Sequence, residues 1–118
     1  MDTTALPRID AEMLATFNGV KGQPIYISIK NIVYDVSAGS DFYGPGKPYG
    51  VFAGKEVSRC LGKMQISDAE ANCSWRSLGD EHKETLGEWE AKIRSKYPIA
   101  GAFAPDANYE TRGAMLEP

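Results

Sequence analysis

The sequence predicts an α+β domain, a small sheet with helices packed on one side. Three stretches lead to that reading. Ile25, Ile27 and Ile29 alternate with Tyr26, Ser28 and Lys30, and Ile32-Val33-Tyr34-Asp35-Val36 follows at once, as a half-buried hairpin requires. Leu86, Trp89 and Ile93 recur at i, i+3 and i+7 between Asp80 and Lys96, the spacing of one apolar face on a helix. Between them, residues 41–54 are rich in glycine, proline and aromatic side chains, and Gly-Pro-Gly and Lys-Pro keep the first half of the stretch from being regular helix or interior strand.

In chain order, residues 1–8 read as a flexible tail. Asp10 is an N-cap, with Ile9 and Leu14 at hydrophobic-staple positions. Met13, Leu14 and Phe17 then form the inward face of a short helix that Gly19 ends. Lys30-Asn31 is the tight turn of the hairpin, and Ser37 to Ser40 lead into the aromatic loop. Val51 to Leu61 has a helical rhythm broken at Gly54 and stopped at Gly62, with Phe52, Val57, Cys60 and Leu61 facing inward. Residues 63–79 carry little pattern, and Trp75 and Leu78 pin them to the core. Asp80 caps the long helix, and Pro98 forbids its continuation. The domain on this reading is residues 9–101. Residues 102–118 have no periodicity and read as a loosely attached C-terminal tail.

Composition narrows the function. At 118 residues the chain is one domain of ordinary size, and 42% apolar with 25% charged residues suits a soluble globular class. A net charge of −3 without a Lys/Arg run argues against nucleic acid as a partner. No stretch reaches the roughly 18 apolar residues of a membrane span. The N-terminus lacks a basic segment followed by an apolar one, so the expected location is the cytosol. Cys60 and Cys73 are expected as reduced thiols, and without a Cys/His cluster a zinc site is not expected. His82 is the sole histidine, so a bis-histidine haem has no second ligand; it reads as a surface helix residue.

The aromatic loop is where function concentrates. Its glycines (Gly44, Gly46, Gly50, Gly54) let backbone approach a flat ligand, while Phe42, Tyr43, Tyr49 and Phe52 offer rings to lay against it. The same aromatics read equally well as plugs of a core. Tyr49 then is a core tyrosine with a locally satisfied hydroxyl, Tyr43 and Tyr97 are packing residues, and Lys96 is a solvated cation at a helix end. Cys60 reads as a small buried hydrophobe and Trp89 as core.

The residues also carry a resemblance. Ile25 to Val36 resembles the hairpin of cytochrome b5-like domains. Phe42-Tyr43-Gly44-Pro45 with Pro48-Tyr49-Gly50-Val51-Phe52-Ala53-Gly54 is similar to the signature of the membrane-associated progesterone receptor family. Ser58-Arg59 and Leu61, then Thr85-Leu86, Trp89-Glu90 and Lys96-Tyr97, fit its later helices, over roughly residues 9–101.

The resemblance implies a cytochrome b5-like fold without the histidine pair, with a small mixed sheet and helices forming a ligand pocket. It implies haem b held by a tyrosine, which falls on Tyr49 as iron ligand, with Tyr43, Lys96 and Tyr97 as pocket neighbours. A phenolate is a hard anionic donor that favours Fe(III), so the expected haem is mainly ferric, high-spin and open on one face. Sterol-related partners follow from the resemblance: steroids, haem-thiolate monooxygenases, and a second copy meeting through the haem face, peripheral to the endoplasmic reticulum. A steroid-binding module or an interaction adaptor without obligatory haem is the alternative. An enzyme is not expected, since no triad, phosphate loop or carboxylate pair stands out. The chain departs from the pattern at Asn31, where glycine is usual, at Lys55-Glu56, and in having no transmembrane helix before the domain.

Overall fold

The hairpin organises the fold. In the computed structural model, which describes residues 6–118, β2 (Tyr26–Ile29) and β3 (Ile32–Asp35) pair antiparallel, with Ile29 opposite Ile32. The two-residue turn between them places Lys30 at φ 49° and Asn31 at φ 64°. Two consecutive left-handed residues match the twist of the strands, and asparagine tolerates that region, which is how Asn31 stands where glycine is usual.

The remaining strands add to both edges. β1 (Arg8–Asp10) runs parallel to β5 (Ile99–Ala104), β5 pairs antiparallel with β3, and β4 (Lys55–Glu56) runs parallel to β2. The five described strands lie in the order β1-β5-β3-β2-β4. The helices are α1 (Ala11–Thr16), α2 (Ser40–Tyr43), α3 (Ser58–Lys63), α4 (Asp80–Lys96) and α5 (Tyr109–Ala114).

The sheet is covered on both faces, not on one. Ile27, Ile29 and Tyr34 join Phe52, Val57, Leu61, Leu86 and Ile93 in the main core under α3 and α4. Val33 turns to the other face and meets Ile9, Leu14, Phe103 and Tyr109 in a smaller core under α1 and α5. Ser28 was expected outside, but it is fully buried because Glu56 packs over it.

Several local expectations hold. Asp10 caps α1 by accepting the Met13 amide at 2.8 Å, and Ile9 and Leu14 are buried together as a staple would bury them. Cys60 and Cys73 are free, buried thiols.

Others are corrected. Met13 faces solvent. The Val51–Leu61 stretch is a 3-10 turn, then β4, then α3, because Glu56 joins the sheet. Gly62 lies inside α3, where an added Cβ would sit 2.8 Å from the His82 carbonyl, so this glycine permits contact with α4. Gly79, not Asp80, holds the N-cap position of α4, and Asp80 and Glu81 complement its first turn electrostatically.

The largest correction is at the C-terminus. Residues 102–118 are not a loose tail. β5 runs on to Ala104, Tyr109 is buried, and an added Cβ on Gly113 would lie 2.7 Å from Ser74. Arg59, fully buried, donates to Glu70 at 2.7 Å and to the Ser74 and Glu117 carbonyls. At the other end, Arg8 belongs to β1 and the Pro7 carbonyl accepts the Ala102 amide, so these residues join the sheet. The tail expected at residues 1–5 lies outside the described residues.

Candidate functional site

The aromatic loop is a chain of tight turns that ends with its rings facing α4. The Gly44 carbonyl accepts the Lys47 amide, the Lys47 carbonyl accepts the Gly50 amide, and the Phe42 carbonyl accepts the Tyr49 amide at 2.8 Å. Gly54 closes the loop at φ +75°, where an added Cβ would also lie 2.9 Å from the Leu14 carbonyl. These constraints hold the Tyr49 ring parallel to Phe52, 5.6 Å away at 7°, and 5.9 Å from Tyr43. Tyr43 in turn meets Tyr97 edge-on at 6.3 Å.

A cleft opens between this loop and α4. Tyr43, Tyr49 and Trp89 border both of its lobes. One lobe is mainly apolar, walled by Phe52, Leu61, Met64 and Ile66, with Cys60 and the Gln65 amide. The other is flanked by Phe42, Lys92, Lys96 and Tyr97. All four residues singled out from the sequence (Tyr43, Tyr49, Lys96 and Tyr97) therefore lie around one cleft.

Trp89, read as core, is half-buried and walls both lobes. Lys92 lies 5.2 Å from the Trp89 ring centroid and joins Lys96 on the same helical stripe. That i, i+4 spacing was legible in the sequence but went unread. The Met64–Ile66 rim has no sequence pattern and is placed by the turn after α3.

The donor set is dominated by phenol oxygen. Burial, with the neighbouring Tyr97 and Tyr49 hydroxyls adding to it, pushes Tyr43 up to about 12, so it keeps its proton and can donate a hydrogen bond. Burial pushes the Cys60 thiol up to about 11, which disfavours the thiolate a metal would need. The His82 ring lies against the Gly62 carbonyl at 3.2 Å, and His82 does not line the cleft. A half-buried phenol at the junction of the lobes, apolar walls beside it and two ammonium groups at one end suit a flat apolar ligand with acidic groups. Haem is such a ligand, and these residues fit it.

The chain matches the family model described as "Cytochrome b5-like Heme/Steroid binding domain" over residues 10–103. It belongs to the cytochrome b5-like haem/steroid-binding family. Relatives within this family carry the progesterone-receptor and steroid-binding names. "Probable steroid-binding protein 3" of Arabidopsis thaliana is 44% identical over 77% of this chain and 92% of its own length. "Cytochrome P450 regulator dap1" of Schizosaccharomyces pombe is 39% identical over 75% of this chain and 57% of its own. The human "Membrane-associated progesterone receptor component 2" is 35% identical over 83% of this chain and 48% of its own. The chain thus spans about half the length of the fungal and human relatives. A solved Arabidopsis thaliana protein described as having "a cytochrome b5 like fold" superposes with a TM-score of 0.77 at 41% identity, covering 84% of this chain and 92% of that one. The cytochrome b5-like fold and the membership of the progesterone-receptor-like branch are as the sequence led us to expect.

Among the described residues, no helix is long and apolar enough to cross a membrane.

Proposed function

We propose that this chain is a haem-binding module in which Tyr49 holds a mainly ferric haem b, and that it acts by binding and not by catalysis. The observation that carries the reading is the position of Tyr49 at the junction of two lobes, one apolar and one flanked by Lys92 and Lys96. Bound haem would supply a ferric centre acidic enough to draw the proton off a phenol. The chain's own residues do the rest. The Tyr49 oxygen is the ligand, and the stacked Phe52 ring holds its plane. The protonated Tyr43 donates a hydrogen bond to a neighbouring anionic oxygen. Lys96 and Tyr97, with Lys92, receive the acidic edge of the ligand, and Leu61, Met64 and Trp89 exclude water from its body.

The relative named as a P450 regulator supports a haem-thiolate monooxygenase as the partner class. A role in sterol metabolism at the surface of the endoplasmic reticulum is part of the same proposal. A homodimer through the open haem face belongs to the same reading. The family description and the steroid-binding names support a second reading, in which the apolar lobe takes a neutral steroid and Tyr49 offers it a hydroxyl.

A visible titration with ferric haem, run beside Tyr49→Phe, separates the two. A saturable Soret band with a high-spin charge-transfer feature that the variant loses is the expected result. An identical titration in a folded Tyr49→Phe protein would remove Tyr49 as the ligand.

A further inference from the structure

Gly39 lies in the segment that delivers Tyr43, at the N-cap position of α2, and it is buried. Its backbone is ordinary, φ −99° and ψ 33°, so no left-handed conformation asks for glycine here. Space does. A Cβ at this position would lie 2.4 Å from the Tyr97 hydroxyl oxygen, 3.2 Å from Tyr97 Cζ and 3.3 Å from Tyr43 Cδ2. Heavy atoms do not approach to 2.4 Å without a bond between them, and a phenol ring can yield only by swinging as a rigid unit, not by bending at its tip as a lysine would.

We infer that Gly39 is a positioning residue for the cleft: its missing side chain is the notch that seats the Tyr97 hydroxyl and sets the edge-on contact of Tyr97 with Tyr43. Tyr97 is the C-cap of α4, its amide donating to the Ile93 carbonyl at 2.9 Å, and it is half-buried. A methyl group in the notch pushes Tyr97 toward the cleft, and Tyr43 with it. Both rings border the lobe that also holds Lys96. The effect on ligand binding rests on the haem reading above, but the seating of the rings does not.

Gly39→Ala tests this in two measurements. In the ligand-free protein, the ring resonances of Tyr97 and Tyr43 should shift while the hairpin amides of residues 26–35 stay in place. In the haem titration, the dissociation constant should rise roughly tenfold, the usual scale of an overpacked site. Removing the offending oxygen relieves the 2.4 Å clash and leaves contacts of 3.2 and 3.3 Å, so Gly39→Ala/Tyr97→Phe should lose far less, relative to Tyr97→Phe, than Gly39→Ala loses relative to wild type. Gly87→Ala, where an added Cβ meets nothing within 4 Å, is the control and should change neither reading.

The inference is overturned if the rings do not move in Gly39→Ala, or if the same loss appears on top of Tyr97→Phe. Should Gly39→Ala fail to fold, recovery of a folded protein by the added Tyr97→Phe supports the notch, and an unfolded double variant refutes it. A wild-type protein with no saturable haem spectrum defeats the haem reading only; the ring resonances then decide the role of Gly39.

Discussion

The carboxyl of Glu56 accepts the Ser58 hydroxyl at 2.6 Å and the Ser58 amide at 3.0 Å in a position closed to solvent. Ser28 and the Asn31 amide approach the same carboxyl at 3.4 Å, and Tyr109 donates to the Asn31 side chain from α5. Glu56 thus ties the hairpin turn, the start of α3 and the C-terminal helix together.

Burial pushes Glu56 up from 4.5 to about 7, against the Ser58 and Asn31 hydrogen bonds that pull it down. Between those values the folded protein holds a proton that the unfolded chain has lost, so stability from this group is complete below about pH 4.5 and falls as pH rises through 7. The full change is on the order of 3 kcal/mol. Urea unfolding of wild type and Glu56→Gln across pH 4–8 should give a difference that follows this course. A difference independent of pH would remove the carboxyl as its source.

Tyr43→Phe should keep the fold, since the ring and its contacts with Tyr49 and Tyr97 remain. It loses one hydrogen bond, which weakens haem binding about three- to tenfold. The loss in Tyr49→Phe should be much larger. An equal or greater loss at Tyr43, read from the Soret titration, would exchange the two roles.

Lys92 and Lys96 flank one lobe as cations on a single stripe of α4. Lys92→Gln/Lys96→Gln should weaken haem binding on the order of tenfold, more at low ionic strength than at high. Titrations at two salt concentrations check this. A wild-type affinity that ignores salt, with an unchanged double variant, would exclude them from contact with the acidic groups.

Arg59 and Glu70 form a buried ion pair that Lys63 extends to the Glu70 carboxylate at 2.7 Å. Burial works against the charged Glu70, but hydrogen bonds from Lys63 and Arg59 outweigh it and hold the carboxyl below its usual range. Glu70→Ala leaves a buried guanidinium short of its anion, which costs roughly 3–5 kcal/mol in such sites. Chemical unfolding reads the loss. A change below 1 kcal/mol, within the range of exposed pairs, would show that the Ser74, Ser77 and Glu117 contacts suffice for Arg59.

The hairpin and α4 were legible because their patterns are local. Alternation at period two and an apolar stripe at i, i+3 and i+7 need no knowledge of the partner surface. β5 was missed for the opposite reason. Ile99–Ala104 is mostly alanine and glycine, with no alternation to read. It is a strand because β1 and β3 pair with it on either side. β1 and α5 are too short to carry a period, and Tyr109 is anchored by contacts with Phe103 and Asn31. Glu56 falls within the Val51–Leu61 stretch whose rhythm reads as helical, with nothing local to mark it as buried. Only its neighbours Ser28 and Ser58, with Tyr109 reaching Asn31 beside it, make it a buried tie between the sheet and α3.

In the site, the family resemblance marked Tyr43, Tyr49, Lys96 and Tyr97, because residue types in a motif are written in the chain. That these four border one cleft, that Trp89 walls it while packing against the core, and that Lys92 joins Lys96 there are properties of how the loop packs on α4. By itself the sequence determined the α+β class, the hairpin and its turn, the Asp10 cap and the chemistry available to the site. Tertiary structure decided which side chains share a space, since burial, notch and cleft arise from packing between segments distant in the chain, which no local pattern records.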